Sequence, residues 1–384
     1  MKVAVLGYGT VGAGVYSMLS DAPGMEAGPV IVRPGKAVES FMVSDAALIF
    51  GDPTVDAVVE TLGGLDPAYS YGMRALEAGK HFITANKVMV ASHGLELAAL
   101  AREKGAAFLF SAACGGGVPF LHNLALSAET DRIEAVSGIL NGTTNYMLDA
   151  MQRRGLSYGD ALREAQSLGY AESDPTADVS GLDALRKMQL ACAVAFGVLP
   201  QSGMLCEGME HFTAADVEDI QSRGLVCRLM ARGSRAGESV SAYVEPVLFP
   251  RAAPESSVFT NNNMASYTGK RCGSIVLMGQ GAGRFPTASA VLRDLAAAQQ
   301  GARSMFPENC RAAEADNREA VHSYYIRTGG FAAVRLSLRS VLAQGEVVRA
   351  VTEPMSAEKM HALAQNIRKD GNDLFFAALE EELC

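Results

Sequence analysis

The sequence predicts an α/β protein in which a doubly wound parallel sheet is joined to an α+β domain. Three observations carry that expectation. Short apolar runs alternate with helix-period segments over the first 120 or so residues. A glycine triplet follows directly on the first apolar run. A long apolar helix then begins beyond a carboxylate-rich loop near Asp178, and strand-like runs recur after it.

The opening KVAVLGYGTVGAGVY reads as a buried strand, Val3 to Leu6, a glycine turn and the start of a helix. Gly7, Gly9 and Gly12 fit G-x-G-x-x-G. One glycine serves the tight turn, one the backbone approach to a pyrophosphate, and one the helix-on-strand contact. Helix amides from about Thr10 and Val11 would face the phosphates, with Tyr8 inside the same turn. That is the fingerprint of a Rossmann-type dinucleotide-binding domain, against the plainer reading of a strand-to-helix turn. The second strand, PVIV, ends in Arg33, Pro34, Gly35 and Lys36, where an acidic residue for the ribose 2′-hydroxyl usually stands. Arg33 and Lys36 suit a 2′-phosphate, so NADP is expected over NAD, with NAD and a merely solvated Arg33 left open.

The alternation continues with strand VDAVVETLGG, helix AYSYGMRALEAGKH, strand FITANK, helix GLELAALAREKG, and AAFLFSAACGGGVP as a strand running into a glycine-rich loop. Ligands of open parallel sheets sit beyond the carboxyl ends of strands. Gly63, Gly64, Asn86, Lys87 and Cys114 to Gly117 all fall there. Lys87 is a site candidate on that ground, or else a surface lysine.

The stretch GYAESDPTADVSGLDALRK places Glu172, Asp174, Asp178, Asp183 and Lys187 where loop becomes helix. Helical spacing from Val179 onward puts Asp183 and Lys187 on one face, as a solvated pair or a proton-handling pair. The same helix runs on as MQLACAVAF, apolar almost all round, which marks a buried element whose entering charges line a cleft.

The 384 residues suffice for two or three domains, and a net charge of −9 without a basic stripe excludes nucleic acid and acidic membranes as partners. No apolar run reaches the ~18 residues of a membrane span, and no signal-peptide pattern precedes the first strand, so a cytoplasmic protein is expected. Seven scattered cysteines without a CxxC pair suit reduced, buried thiols. Cys114 has no evident His or Asp partner as a nucleophile.

GYGTVG, TANK, the glycine loop ending in VP, ILNGTTNYML, GYAESDPTADVSGLDALRK and GAGRFPTASAVLRDL occur in an order that resembles the homoserine dehydrogenase family over roughly residues 1 to 300. The resemblance implies reversible NAD(P)-dependent reduction of L-aspartate 4-semialdehyde to L-homoserine, by a homo-oligomer of two or four copies. It implies Lys187 as acid/base residue with Asp183 before it, Lys87 as second lysine, and Glu172, Asp178, Tyr170, Gly142 and Thr143 around the substrate. Cofactor contacts would include Gly63, Gly64, Lys87, Gly169 and Gly283. The NGTTNY segment also reads as an Asn-Gly turn before a helix capped by Thr144 or Asn145. Where the family has a glutamate ligating a monovalent cation, Ser111 stands here. Only backbone carbonyls at Cys114, Gly116 and Val118 would remain, so cation binding is not expected. Gln280 replaces the usual proline of the second glycine loop, and the segment between the first helix and Asp52 is short.

The expected organisation is a dinucleotide domain of residues 1–125 with about 281–305 returning to it, and a substrate-binding and dimerisation domain of residues 126–280. DRIEAVSGILN, LVCRLMARGS and VSAYVEPVLF supply the sheet of the second. A polar linker from Pro307 to Glu319 follows. Residues 320–384, with strands HSYYIRTG, AAVRLSL, EVVRAVTE and DLFFAALEEE and helix SAEKMHALAQNI, resemble a small ferredoxin-like, ACT-type regulatory domain. Its effector loop is reduced to Thr328-Gly329-Gly330, so a purely dimer-forming domain fits equally. A non-catalytic nucleotide- or amino-acid-binding sensor on the same fold is the alternative to the enzyme.

Overall fold

The computed structural model describes residues 1–329, 334 and 337–380. A six-stranded parallel sheet comes first, made of β1 (Lys2–Leu6), β2 (Glu26–Ile31), β3 (Met42–Val43), β4 (Ala57–Glu60), β5 (His81–Thr84) and β6 (Phe108–Leu109) in the order β3-β2-β1-β4-β5-β6. Every residue of β4 is buried, as a parallel strand covered on both faces requires. Helices α1 (Thr10–Leu19), α2 (Ala47–Phe50), α3 (Ala68–Glu77) and α4 (Lys87–Lys104) connect the strands. A Cβ at Gly12 would lie 2.1 Å from the Gly7 carbonyl oxygen, so only glycine lets α1 leave the first turn this closely. Asn86 caps α4 through Met89 N–H, which makes Lys87 the first residue of that helix rather than the last of the FITANK strand.

The chain then forms α5 (Phe120–Thr130), β7 (Ile133–Ile139), α6 (Gly142–Arg154), α7 (Tyr158–Ser167), α8 (Thr176–Val179) and α9 (Leu182–Phe196). The helix expected from Val179 is interrupted, because Gly181 takes φ +83° and restarts the chain at Leu182. Asp183 consequently sits in the first turn of α9. A second sheet takes in β7 and the strands β8 (Val198–Ser202) and β9 (Leu205–Cys206) lead towards it, followed by α10 (Ala214–Ser222), β10 (Leu225–Ala236), β11 (Ser239–Pro250), β12 (Asn262–Gly269) and β13 (Gly273–Gln280). The strands expected around β7, β10 and β11 are all present and run side by side as β13-β12-β7-β10-β11. The apolar α9 packs on β7, β10 and β11 and against α4 and α5, which places it between the two sheets.

Helix α11 (Arg284–Gln299) returns to α1. A Cβ on Gly14 would meet Arg284 Cγ at 2.9 Å, so the two helices touch backbone to side chain there. The expected linker contains a strand, β14 (Arg311–Glu314), whose backbone pairs in parallel with β8 from Val198 to Ser202. The rest is β15 (Val321–His322), β16 (Tyr324–Thr328), β17 (Leu338–Ala343), β18 (Val348–Thr352), β19 (Met355–Ser356), α12 (Ala357–Lys369) and β20 (Leu374–Leu379). Most of AAVRLSL, and Gly330 of the expected effector loop, lie outside the described residues.

Strands β20-β16-β18-β17 form an antiparallel ladder, but not a sheet of their own. β20 pairs in parallel with β11, Val247 with Ala378 and Leu248 with Leu379, so one sheet runs through both regions. Ion pairs reinforce the junction, Arg327 lying 2.7 Å from Asp216 and Arg368 2.6 Å from Glu207, and the buried His361 ring meets Glu245 at 3.1 Å.

Candidate active site

The end of β7 delivers Leu140 and Asn141 to the first turn of α9. Asn141 Oδ1 accepts from Thr144 N–H at 2.8 Å and caps α6, so the cap is Asn141 and not Thr144 or Asn145. Its Nδ2 donates to Asp178 Oδ1 at 2.7 Å and to Asp183 Oδ2 at 2.9 Å, joining two carboxylates. Lys187, one helical turn beyond Asp183, donates to Asp183 Oδ2 at 2.7 Å and to the Leu140 carbonyl at 2.6 Å. Because α4 packs against α9, Lys87 Nζ reaches Asp183 Oδ1 at 3.1 Å. Two lysines thus share one carboxylate, and Asp183 is only 8% exposed.

Burial alone would raise the Asp183 carboxyl, but Lys187 and Lys87 outweigh it and hold the group well below the usual carboxylate range. For Lys187, burial works to lower the ammonium, and the Asp183 charge with its hydrogen bond reverses this, so Lys187 titrates above an ordinary lysine. Cys114 lies close enough to feel these charges. Burial pushes its thiol up to about 12, which leaves it neutral and unsuited to nucleophilic work.

Around this cluster, the single Thr143 hydroxyl proton is shared between the Tyr170 carbonyl at 2.6 Å and Asp178 Oδ2 at 3.0 Å. The Tyr170 ring stands 5.1 Å from that of Tyr146. Gly142 opens α6, where a Cβ would press on the Asn261 carbonyl at 2.8 Å. Glu172 stands apart. It is exposed, and its carboxylate has no hydrogen-bond or ion-pair partner among the described residues, while its carbonyl accepts from Gln166.

A separate open cleft of about 1040 Å³ lies over the carboxyl ends of β1, β2 and β4, lined by Gly7, Tyr8, Gly9, Arg33, Lys36 and Gly63 among others. Space for a Cβ at Gly9 is empty, and no side chain caps α1, so the amides of Thr10 and Val11 at the helix start are available to an anion. The pyrophosphate of a dinucleotide fits that cradle. Gly64 follows Gly63 on the same loop. Arg33 and Lys36 project from the rim with no ion pair among the described residues, and Phe41 and Tyr16 stack beneath Tyr8 at 4.3 Å from each other. Gly169 ends α7 and Gly283 opens α11; neither lines this cleft.

The loop expected to offer carbonyls packs Gly116 against Gly281, and the Val118 carbonyl already accepts from Phe120 N–H at 2.8 Å. Behind Ser111 stands a residue the sequence did not single out. Asp294 of α11, 1% exposed, accepts from Ser111 N–H at 2.7 Å and from its hydroxyl at 2.5 Å, and burial raises its carboxyl to about 7. Asn141, the Leu140 carbonyl and Glu39 in the cleft lining were also missed. Asn141 was visible within NGTTNY, but only as a turn residue, since bridging Asp178 and Asp183 depends on strand and helix ends that meet only in the fold.

A dinucleotide-type sheet joined to two lysines on one buried aspartate defines an NAD(P)-dependent oxidoreductase. Residues 7–111 match the family model "Homoserine dehydrogenase, NAD binding domain", and residues 119–296 match "Homoserine dehydrogenase". A homoserine dehydrogenase from Synechocystis sp. is 38% identical over 319 residues, covering 77% of this chain and 72% of the relative. One from Corynebacterium glutamicum is 38% identical over 317 residues, covering 77% and 71%. The crystal structure of a homoserine dehydrogenase from Thiobacillus denitrificans superposes with a TM-score of 0.87 at 30% identity, covering 99% of this chain and 98% of that one. The chain belongs to the homoserine dehydrogenase family, and the non-catalytic alternative is not favoured.

Proposed function

We propose that the chain interconverts L-aspartate 4-semialdehyde and L-homoserine, with Lys187 as the group that gives and takes the proton on the reacting oxygen. The observation that supports this is Asp183 holding Lys87 and Lys187 at 3.1 and 2.7 Å. Asp183 and Asp178 balance the two ammonium groups in the empty site, and once Asp178 pairs with the substrate ammonium the surplus positive charge suits an oxygen that becomes negative as an aldehyde is reduced. Bound NADPH would supply the hydride. Lys187 then protonates the alkoxide oxygen, and in the reverse direction neutral Lys187 takes the hydroxyl proton. Lys87 holds the reacting oxygen or the cofactor near Lys187. Asp178 takes the substrate ammonium in this reading, supported by its bonds to Asn141 and Thr143, with Tyr170, Gly142 and Thr143 at the pocket wall and Glu172 joining when substrate binds.

The finer coenzyme choice is NADP. Arg33 and Lys36, with no ion pair among the described residues, stand side by side at the cleft rim and support a 2′-phosphate, although Glu39 and Asp66 also line the cleft. Residues 1–125 with 281–305 act as the dinucleotide unit, a reading supported by the contact of α11 with α1. The exposed Val276 and Met278 on the edge strand β13 support a homo-oligomer built on that edge. The test is NADPH oxidation by purified protein with aspartate semialdehyde. Semialdehyde-dependent consumption is expected, and its absence with a folded protein that binds NADPH refutes the proposal.

A further inference from the structure

Glu60 ends β4 wholly buried, where a parallel strand ordinarily carries an apolar residue, and none of the roles above employs it. Its Oε1 accepts from Leu62 N–H at 2.6 Å and from Gly63 N–H at 3.1 Å, two amides of the loop that lines the dinucleotide cleft. Its Oε2 accepts from the Thr84 hydroxyl at 2.6 Å at the end of the neighbouring strand. Thr84 Oγ1 in turn accepts from Asn86 N–H at 2.9 Å. The Asn86 side chain faces both ways, donating to the Gly64 carbonyl at 2.6 Å and accepting from Met89 N–H at 3.2 Å at the start of α4. The first residue of α4 is Lys87, which reaches Asp183.

A carboxylate buried without compensation is strongly unfavourable, and here every bond it accepts leads either to the cofactor loop or towards the lysine helix. We propose that Glu60 is a positioning residue that anchors loop 62–64 for the dinucleotide and, through Thr84 and Asn86, sets the amino end of α4 so that Lys87 meets Asp183. The second half of this rests on the catalytic reading of the lysine cluster; the first does not. The relay also separates its two effects by residue. Glu60 bonds the loop amides directly, whereas the Thr84 hydroxyl bonds Glu60 and the Asn86 N–H and reaches the loop only at second hand, through Asn86 and Gly64.

Three variants test it, with NADPH affinity measured by fluorescence titration, turnover measured at saturating substrates, and thermal melting as the check on folding. Glu60→Leu keeps bulk and removes both acceptors, and is expected to weaken NADPH binding at least tenfold. Glu60→Gln keeps an amide oxygen for the two loop N–H groups and is expected to recover most of that loss. Thr84→Val leaves the Glu60 bonds to Leu62 and Gly63 in place, so NADPH affinity stays within threefold of wild type while turnover falls at least tenfold. NADPH affinity of Glu60→Leu within threefold of wild type overturns the proposal, as does Thr84→Val turnover within threefold. The titration needs no substrate. A wild-type protein that binds NADPH yet fails to reduce aspartate semialdehyde therefore contradicts the proposed function, while the loop half of the relay is still decided by Glu60→Leu.

Discussion

Arg327 Nε lies 2.7 Å from Asp216 Oδ1, in an ion pair whose carboxylate is wholly shielded from solvent. The same guanidinium donates to the His211 carbonyl at 2.7 Å, so β16 is fastened to the segment around α10. Replacing Arg327 by Met leaves Asp216 buried with only its cap bonds from Thr213, a loss expected on the order of 3 kcal/mol and readable as a lowered melting temperature. Truncation after Arg318 removes Arg327, Arg368, His361 and β20 together. It is expected to yield an insoluble or unfolded chain, and a soluble fragment with wild-type circular dichroism would show that the junction is dispensable.

Asn141 performs two tasks that substitutions separate. Asn141→Ala loses the α6 cap, worth about 1 kcal/mol, and also the bridge between Asp178 and Asp183. Asn141→Asp keeps a capping oxygen but puts a third carboxylate beside the other two. Turnover is expected to fall at least tenfold in both, with the larger drop in melting temperature for Ala. Wild-type turnover by Asn141→Asp contradicts the assigned bridge.

Coenzyme choice turns on the cleft rim. NADPH is expected to show a higher kcat/KM than NADH, and Arg33→Ala to narrow the gap at least fivefold by raising KM for NADPH alone. A ratio unchanged by the substitution would mean that the guanidinium stays in solvent.

Asp294 makes stability depend on pH. Its folded-state value of about 7 lies above the ordinary 3.8, so its contribution is fully present below pH 4 and is lost as pH rises through 7. The neutral Asp294→Asn, which can still meet both Ser111 groups, lacks this loss. Relative to wild type its melting temperature is expected to climb between pH 4 and 8, the difference amounting to a few kcal/mol at most. Parallel curves for the two proteins would place the carboxyl in a wetter setting.

The legible parts of this chain were those set by local period and local sterics. Gly7, Gly9 and Gly12 announced the first turn because no side chain fits between Gly12 and the Gly7 carbonyl, and four-residue spacing brought Asp183 and Lys187 together even though Gly181 broke the helix ahead of them. What stayed hidden depended on partners distant in sequence. Asn141 meets Asp183 across 42 positions, and Asp294 meets Ser111 across 183. The pairing of β20 with β11 was likewise invisible, since strand DLFFAALEEE has the same apolar pattern whether it edges its own sheet or joins another.

Lys187→Ala tests the central claim most directly. The substitution removes the ammonium that bonds Asp183 and Leu140 but leaves the apolar face of α9 untouched. Semialdehyde-dependent NADPH oxidation is expected to fall by about 10² to 10⁴, with NADPH affinity close to wild type and the protein still folded by circular dichroism, since Lys87 and Asn141 still bond Asp183. Turnover within threefold of wild type would contradict the assignment of Lys187 as the proton donor.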